Sequence, residues 1–454
     1  MIKQHHIPER IGFREAILFW LKLGFISFGG PAGQISVMHK ECVEQRRWIS
    51  EKRFLHALNY CMLLPGPEAQ QLATYMGWLM HGTWGGIIAG VLFILPSLFI
   101  LIALSWLYIV FGNNPLLIGG LYGIKPAIVI IVLQAAHRIG GRTLKTPFLL
   151  GIAGISFMLI AILHLPFPLI LLGAAVAGWL SEYVFPYQGI TKANGHSSDH
   201  QTSYGSAIID DTSPIPEHAR FSVSKLFKTG GIGFLLWATP LLLLTYLYRW
   251  MGTLTQMGWF FTKSALLTFG GAYAVLPYVF QGAVEHYAWL NAAQMMDGLA
   301  LGETTPGPLI MVVAYVGFIG GYLKAILGQH ALFLSGALAA TVVTWFTFLP
   351  SFIFILAGAP LIEASQQQPK LTAPLTAMTA AVVGVILNLA LFFAYHTLWL
   401  KEEGVDINAI LLAGIATIGL FYFKRGVIVV LGLCAMLGIV IKTLGIFFLN
   451  IPSI

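Results

Sequence analysis

The tightest constraint on this chain is a series of apolar stretches, each about as long as a bilayer is thick. A spanning helix needs about 20 mostly apolar residues. The sequence supplies such stretches at 84–110, 116–136, 147–163, 166–184, 229–249, 332–357, 372–397, 405–421 and 427–449. Only 9% of the 454 residues are charged, and the mean hydropathy is +0.80. A soluble domain carries about 25% charged residues, so lipid must cover most of this surface. The expectation is an all-α polytopic membrane protein. That excludes a soluble enzyme, a nucleic-acid binder and a secreted disulfide scaffold. The formal charge of +7 then reports which loops stay in the cytoplasm. Cys42, Cys61 and Cys434 show no pairing pattern and no zinc spacing, so neither a disulfide frame nor a metal site is expected. The first residues carry charge as far as Arg14 with no small-residue cleavage site after it, and read as a retained N-terminus.

Two further pairs of apolar segments are interrupted by glycine and proline: 16–38 with 54–80, and 257–281 with 292–321. Between 186 and 228 the character changes to polar, Gly/Ser-containing and aperiodic, as a flexible linker would be. His196, His200 and His218 read as part of that solvated linker, not as metal ligands. The linker (Lys192, Arg220, Lys225, Lys228) and the loop 137–146 (Arg138, Arg142, Lys145) are basic and separated by one helical hairpin, which assigns both to the cytoplasm. Loop 39–53 is also basic, with Lys40, Arg46, Arg47, Lys52 and Arg53. It joins them on the cytoplasmic side only if 16–38 and 54–80 dip in and return. Non-helical backbone at membrane depth is tolerated where protein or water covers it, so broken or re-entrant segments are expected.

The two halves are related to each other. Residues 19–67 align without gaps onto 260–308 at a constant offset of 241. Lys22 meets Lys263, Phe28-Gly29-Gly30 meets Phe269-Gly270-Gly271, Trp48 meets Trp289, and Pro65-Gly66-Pro67 meets Pro306-Gly307-Pro308. After small gaps Pro96-Ser97 meets Pro350-Ser351. One extra span at 229–249 turns the second half the other way up, and loop 282–291, the counterpart of basic 39–53, has no Lys or Arg. The expected organisation is a first repeat at 1–184, a cytoplasmic linker at 185–228, a connecting helix at 229–254 and a second repeat at 255–454. Inverted repeats of this kind put a transport site at the midplane, where their broken helices meet.

The segments FGGPAGQISVMH, WISEKRFLHAL, LLPGPEAQQLATYMGWLMHGTWGG and AGVLFILPS, with TFGGAYAVLPYV and GETTPGPL in the second half, resemble the chromate ion transporter family. The resemblance covers both halves and fits the long form with two fused domains. It implies efflux of chromate across the bacterial cytoplasmic membrane, and hence chromate resistance. Sulfate or another tetrahedral oxyanion is the alternative substrate. The partners it allows are the oxyanion, the lipid bilayer and a second copy of the chain as a homodimer; no nucleic acid, cofactor or metal is expected.

The residues at the interruptions have chemistry to match. Gly29-Gly30-Pro31 and Gly270-Gly271 allow a break followed by a new helix, with Pro31 in its first turn and Gln34 one turn on. A helix that starts inside the membrane aims its free N–H groups and positive dipole end at whatever sits there, which favours a dianion. The alternative is that these glycines only let helices pack closely. Pro65-Gly66-Pro67 and Pro306-Gly307-Pro308 cannot continue a helix. Gln70 and Gln71 add amide donors beside the first, and Thr304 and Thr305 add hydroxyls beside the second. The alternative here is a kink covered by neighbours. Glu68 is an ionisable group inside an apolar segment, suited to coupling by gain and loss of a proton; its alternative is a helix cap. Lys22 and Lys263 would offset a dianion's charge, or else snorkel to the interface. Lys125 has no basic twin, since Thr379 aligns there, and ranks below that pair. Trp48 and Trp289 read as interface anchors.

No G-x-x-x-x-G-K-[ST] is present, so this chain does not use ATP, and an ion gradient or anion exchange must supply the energy. A passive anion channel would need no coupling group at Glu68. A membrane enzyme such as a chromate reductase would need a redox cofactor, and neither a haem CxxCH nor a dinucleotide fingerprint occurs.

Overall fold

The computed structural model describes residues 11–28, 30–184, 207–210, 216–269, 271–364, 372–400 and 404–449. Gly29, Gly270, His196, His200 and most of the linker lie outside them. The first repeat contains α1 (Phe13–Ile26), α2 (Gly30–His39), α3 (Glu51–Leu63), α4 (Glu68–Val110), α5 (Pro115–Thr143), α6 (Pro147–Ala161) and α7 (Phe167–Val184). The connecting helix is α8 (Val223–Tyr248). The second repeat contains α9 (Thr253–Leu266), α10 (Ala272–Phe280), α11 (Ala292–Thr304), α12 (Val312–Leu323), α13 (Leu332–Ala364), α14 (Thr372–Leu398), α15 (Ile407–Thr417) and α16 (Val427–Leu449). A two-residue antiparallel ladder, Trp399–Leu400 with Gly404–Val405, is the one sheet among the described residues. The chain is thus all-α and polytopic. Helices of the longest apolar runs, among them α5, α8, α13 and α14, are long enough to cross a bilayer unaided.

The element order repeats. α1, α2 and α3 correspond to α9, α10 and α11, and α5, α6 and α7 to α14, α15 and α16. Even the wide turns that extend α2 and α10, Lys40–Gln45 and Gln281–His286, keep the offset of 241. α4 corresponds to α12 and α13 together, because it is a hairpin of two arms. The chain leaves helical geometry at His81 and Gly82. Gly82 has φ +66°, a conformation that costs glycine little and other residues more. Beyond it the chain returns along itself: Gly77 lies against Gly85 and Thr74 against Gly90, contacts a continuous helix could not make.

Three of the interruptions also double the chain back. In the first repeat Phe19 of α1 meets Trp48 edge-on at 4.8 Å, and Arg46 pairs with Glu15 at 2.9 Å. In the second, Phe260 meets Trp289 edge-on at 5.6 Å and stacks on Tyr278 at 4.8 Å. Gly298 of α11 lies against the Tyr315 ring of α12. These segments are therefore broken and doubled back on themselves. The twin tryptophans differ from expectation: both are buried, Trp48 beneath the Arg46 guanidinium and Trp289 stacked on Tyr287 at 4.6 Å. They clasp the two arms of each hairpin. A tryptophan buys area and geometry in either setting, so composition alone does not separate a clasp from an interface anchor.

The repeats share one interior. α5 packs on α14, α15 and α16, while α14 packs on α6 and α7, and α4 packs on α13. The described part of the linker is bound rather than free. Ile209 pairs with the backbone of Trp48 and Ser50, and His218 meets the Trp78 carbonyl at 2.9 Å.

Candidate functional site where the breaks meet

Each break belongs to one repeat and is completed by the other. The Gly66 N–H donates to the Thr268 carbonyl at 2.8 Å, and the Gly307 N–H donates to the Ser27 carbonyl at 2.8 Å. These two bonds are interchanged by the duplication offset. Gly66 at φ +131° and Gly307 at φ +103° hold backbone that favours glycine. A Cβ on Gly66 would strike the Ser351 hydroxyl, and one on Gly307 would press on Ser97. The Gln34 amide adds a third cross-repeat bond, donating to the Gly307 carbonyl at 2.5 Å. The Tyr273 hydroxyl donates to Glu303 at 2.6 Å, which ties the start of α10 to the end of α11.

Helices α2, α4, α10 and α12 all begin at these breaks. Their N-termini carry free N–H groups and partial positive charge. The carbonyls that end α1 and α9 already accept from Gly307 and Gly66, so part of the opposing negative charge is spent. The Glu68 carboxylate lies against Gly271 at the start of α10, its oxygens 3.5 and 3.6 Å from where a Cβ would stand. It reaches that spot from the other repeat. Arg142 and Arg138, one turn apart on α5, lie within electrostatic reach of Glu68 and of the Glu303–Tyr273 pair respectively.

The polar groups around the breaks divide into engaged and free. The Gln70 amide donates to Thr74 Oγ1 at 2.9 Å and the Gln71 amide to the Pro65 carbonyl at 2.9 Å, while both amide oxygens are buried without a partner among the described residues. Thr304 and Thr305 donate their hydroxyl hydrogens to carbonyls within α11, so in this conformation they offer none to an anion. The free hydroxyls are instead Ser27, Ser97 and Ser351, each fully buried and unpaired among the described residues. Buried polar groups are ordinarily hydrogen-bonded, so this cluster of orphans marks a place built for something else. Pro31, Pro65, Pro67, Pro306 and Pro308 stand at the breaks as expected, and Gly30 opens α2 at φ +70°.

The lysine pair lies elsewhere. Lys22 shares an exposed stripe of α1 with Leu18, Phe25 and Ile26, facing away from the interior. Lys263 sits 5.9 Å over the Trp259 ring. The residues that sequence reasoning did not assign to the site are Ser27, Ser97, Ser351, Tyr273, Arg138 and Arg142. The recurrence of Pro-Ser in both repeats was the one available signal for Ser97 and Ser351.

Among known families, the model described as chromate transporter matches residues 14–179 and 255–439. A chromate transport protein of Cupriavidus metallidurans is 27% identical over 423 residues, covering 92% of this chain and 90% of that one. A chromate transport protein of Pseudomonas aeruginosa is 30% identical over 382 residues, covering 84% and 80%. An uncharacterized transporter of Bacillus subtilis is 28% identical and covers 41% of this chain but 94% of its own length, so it is about one repeat long. No solved structure matches this chain.

Proposed function

This chain belongs to the chromate transporter family, and from that premise we propose that it exports chromate from the bacterial cell by secondary-active transport and so confers chromate resistance. It is a multi-pass protein of the cytoplasmic membrane. The observation that carries the reading is the exchanged pair of bonds Gly66–Thr268 and Gly307–Ser27, which gathers four helix N-termini and a set of unpaired buried donors in one place. A tetrahedral oxyanion gives up its hydration for donors of this kind. Ser27, Ser97, Ser351, the second N–H of the Gln70 and Gln71 amides, and the N–H groups that open α2, α4, α10 and α12 form the binding set. Glu68 occupies the start of α10 as a tethered carboxylate. An arriving oxyanion competes with it for the same positive helix end. The carboxylate then leaves or takes a proton, and that competition couples anion movement to the proton gradient. The two repeats are read as inverted, so that each break faces its twin across the midplane.

Uptake of radiolabelled chromate into everted vesicles, under imposed pH gradients and with sulfate as competitor, tests this reading. Gradient-dependent accumulation is expected, with inhibition by sulfate to the extent that the donors read only tetrahedral shape. Gradient-independent equilibration would make the protein a channel instead. Topology has its own test. Single cysteines beside Arg47 and His286 are expected to label from opposite sides of the membrane; labelling from one side would end the inverted-repeat reading.

A further inference from the structure

A second intramembrane charge cluster lies away from the breaks. The Lys125 ammonium of α5 contacts Asp297 of α11 at 3.1 Å, and the Tyr108 hydroxyl of α4 donates to the same carboxylate at 3.0 Å. The Asp297 side chain is 6% exposed and that of Lys125 is 27% exposed. The surrounding elements add few other titratable groups. From α12 the Tyr315 ring stands 5.8 Å from that of Tyr108. From α16, Cys434 turns its thiol to the Leu412 carbonyl, and Lys442 lies over the Tyr122 ring, whose hydroxyl donates to the Asp406 carboxylate just before α15. The turn Leu309–Met311 that also packs on α11 has no titratable residue.

Position and symmetry give the cluster meaning. α5 runs from the loop after α4 through most of the basic segment 137–146, which forms its last turns. Lys125 lies toward its first end, whereas Arg138 and Arg142, within electrostatic reach of the break carboxylates, lie toward its last. The pair therefore stands between the breaks and the face opposite the basic loops. It also crosses the repeats, with α4 and α5 on one side and α11 and α12 on the other. Yet it exists once. The duplication puts His56 where Asp297 stands and Thr379 where Lys125 stands, and His56 is exposed on α3. In an inverted-repeat transporter the two repeats exchange arrangements between inward-open and outward-open states. An ion pair with no twin is then made in one state and lost in the other.

We propose that Asp297 is a proton site, locked by Lys125 and Tyr108 in one state and opened to water in the other. When the repeats shift, Lys125 withdraws. The carboxylate takes a proton from hydronium, leaving water and a neutral acid, because a lone carboxylate within the membrane is expensive. When the pair re-forms, the proton returns to water and Lys125 resumes its place. The inference rests on the inverted-repeat transport reading above, and adds a coupling site that the breaks do not contain.

The test uses purified full-length protein in proteoliposomes. Two fluxes are compared: chromate accumulation driven by a pH gradient, and chromate–chromate exchange at equal pH. In Asp297→Asn the ratio of the first to the second is expected to fall by about tenfold or more, within the ordinary range of coupling energies. An unchanged ratio overturns the proposal, and so does equal loss of both fluxes in a variant that still unfolds cooperatively. If Asp297→Asn does not assemble, Asp297→Glu replaces it. That variant should keep coupling but move the pH midpoint of accumulation; an unmoved midpoint overturns the proposal. A second readout needs no substrate. The infrared difference spectrum between high and low pH should lose one protonated-carboxyl band in Asp297→Asn, and an unchanged spectrum overturns the site. Wild-type protein that carries no chromate in either regime would refute the transport reading, and the infrared result would still decide the proton site.

Discussion

The two repeats share a backbone and differ in chemistry. Both break at the same register, both clasp a hairpin with a buried tryptophan, and each break glycine donates to the other repeat. The side chains around them do not match. The first repeat brings Gln34, Glu68, Gln70 and Gln71, whose second-half counterparts at the same offset are Val275, Leu309, Met311 and Val312. The second brings Tyr273 and Glu303. Duplication thus preserved what holds the helix ends in place, while charge and hydrogen-bond donors diverged. A scaffold that must fit itself across a two-fold relation tolerates little change. The groups that give a transport cycle its direction gain by being unequal.

The largest effects should be equal in the two repeats. Replacing Pro65-Gly66-Pro67 by three alanines would let α3 run on into α4, and the N–H groups now free would close on their own helix. Chromate flux in proteoliposomes should be abolished, with a much smaller fall in thermal stability. The same change at Pro306-Gly307-Pro308 should do the same. Near-normal flux in either variant would mean that the breaks only serve packing. Next in size is a deliberately unequal pair. Glu68→Gln should reduce gradient-driven flux by about tenfold or more while exchange persists. Glu303→Gln should cost less, because its amide oxygen can still accept from Tyr273. A reversed order would move the coupling role to the second repeat.

Smaller effects return to symmetry. Ser97→Ala and Ser351→Ala each remove one unpaired buried hydroxyl, and each should weaken chromate binding by about 1–3 kcal/mol if the anion is desolvated there. Gln70→Leu and Gln71→Leu should fall in the same range. Calorimetric titration of the purified variants measures all four. Twin serines of very different weight would show that the anion sits nearer one repeat. The smallest change is expected at exposed Lys22→Gln, within about 0.5 kcal/mol, with half-buried Lys263→Gln next above it. A larger loss of affinity would return these lysines to the binding set that their matched positions first proposed for them.

The breaks and the duplication were legible in the sequence because glycine and proline act locally, and because a constant offset needs no structure to be seen. Glu68 was legible because one carboxylate in an apolar run is conspicuous. Its contact with Gly271 was not, since that joins residues of different repeats. Asp297 was hidden for a related reason. It stands among Ala, Gln and Gly in α11, and only the fold brings Lys125 to it. Thr304 and Thr305 looked like donors until α11 supplied carbonyls for their hydroxyls. Ser97 and Ser351 looked like ordinary helix residues until the opposing glycines left them no partner.

The exchanged glycine bonds also have a consequence in time. The acceptor for the Gly66 N–H is Thr268, which leaves the ribosome roughly 10–40 s after it, at synthesis rates of about 5–20 residues per second. Through that interval the first half sits in the membrane with its central donors unanswered. The Ser27 carbonyl waits longer still, until Gly307 arrives. The newborn first half is therefore a client for whatever holds unfinished membrane proteins, and its maturation is one concerted closure late in synthesis. A ribosome that stalls between α8 and α11 would leave a fragment that is inserted but cannot finish, an obvious substrate for membrane proteolysis.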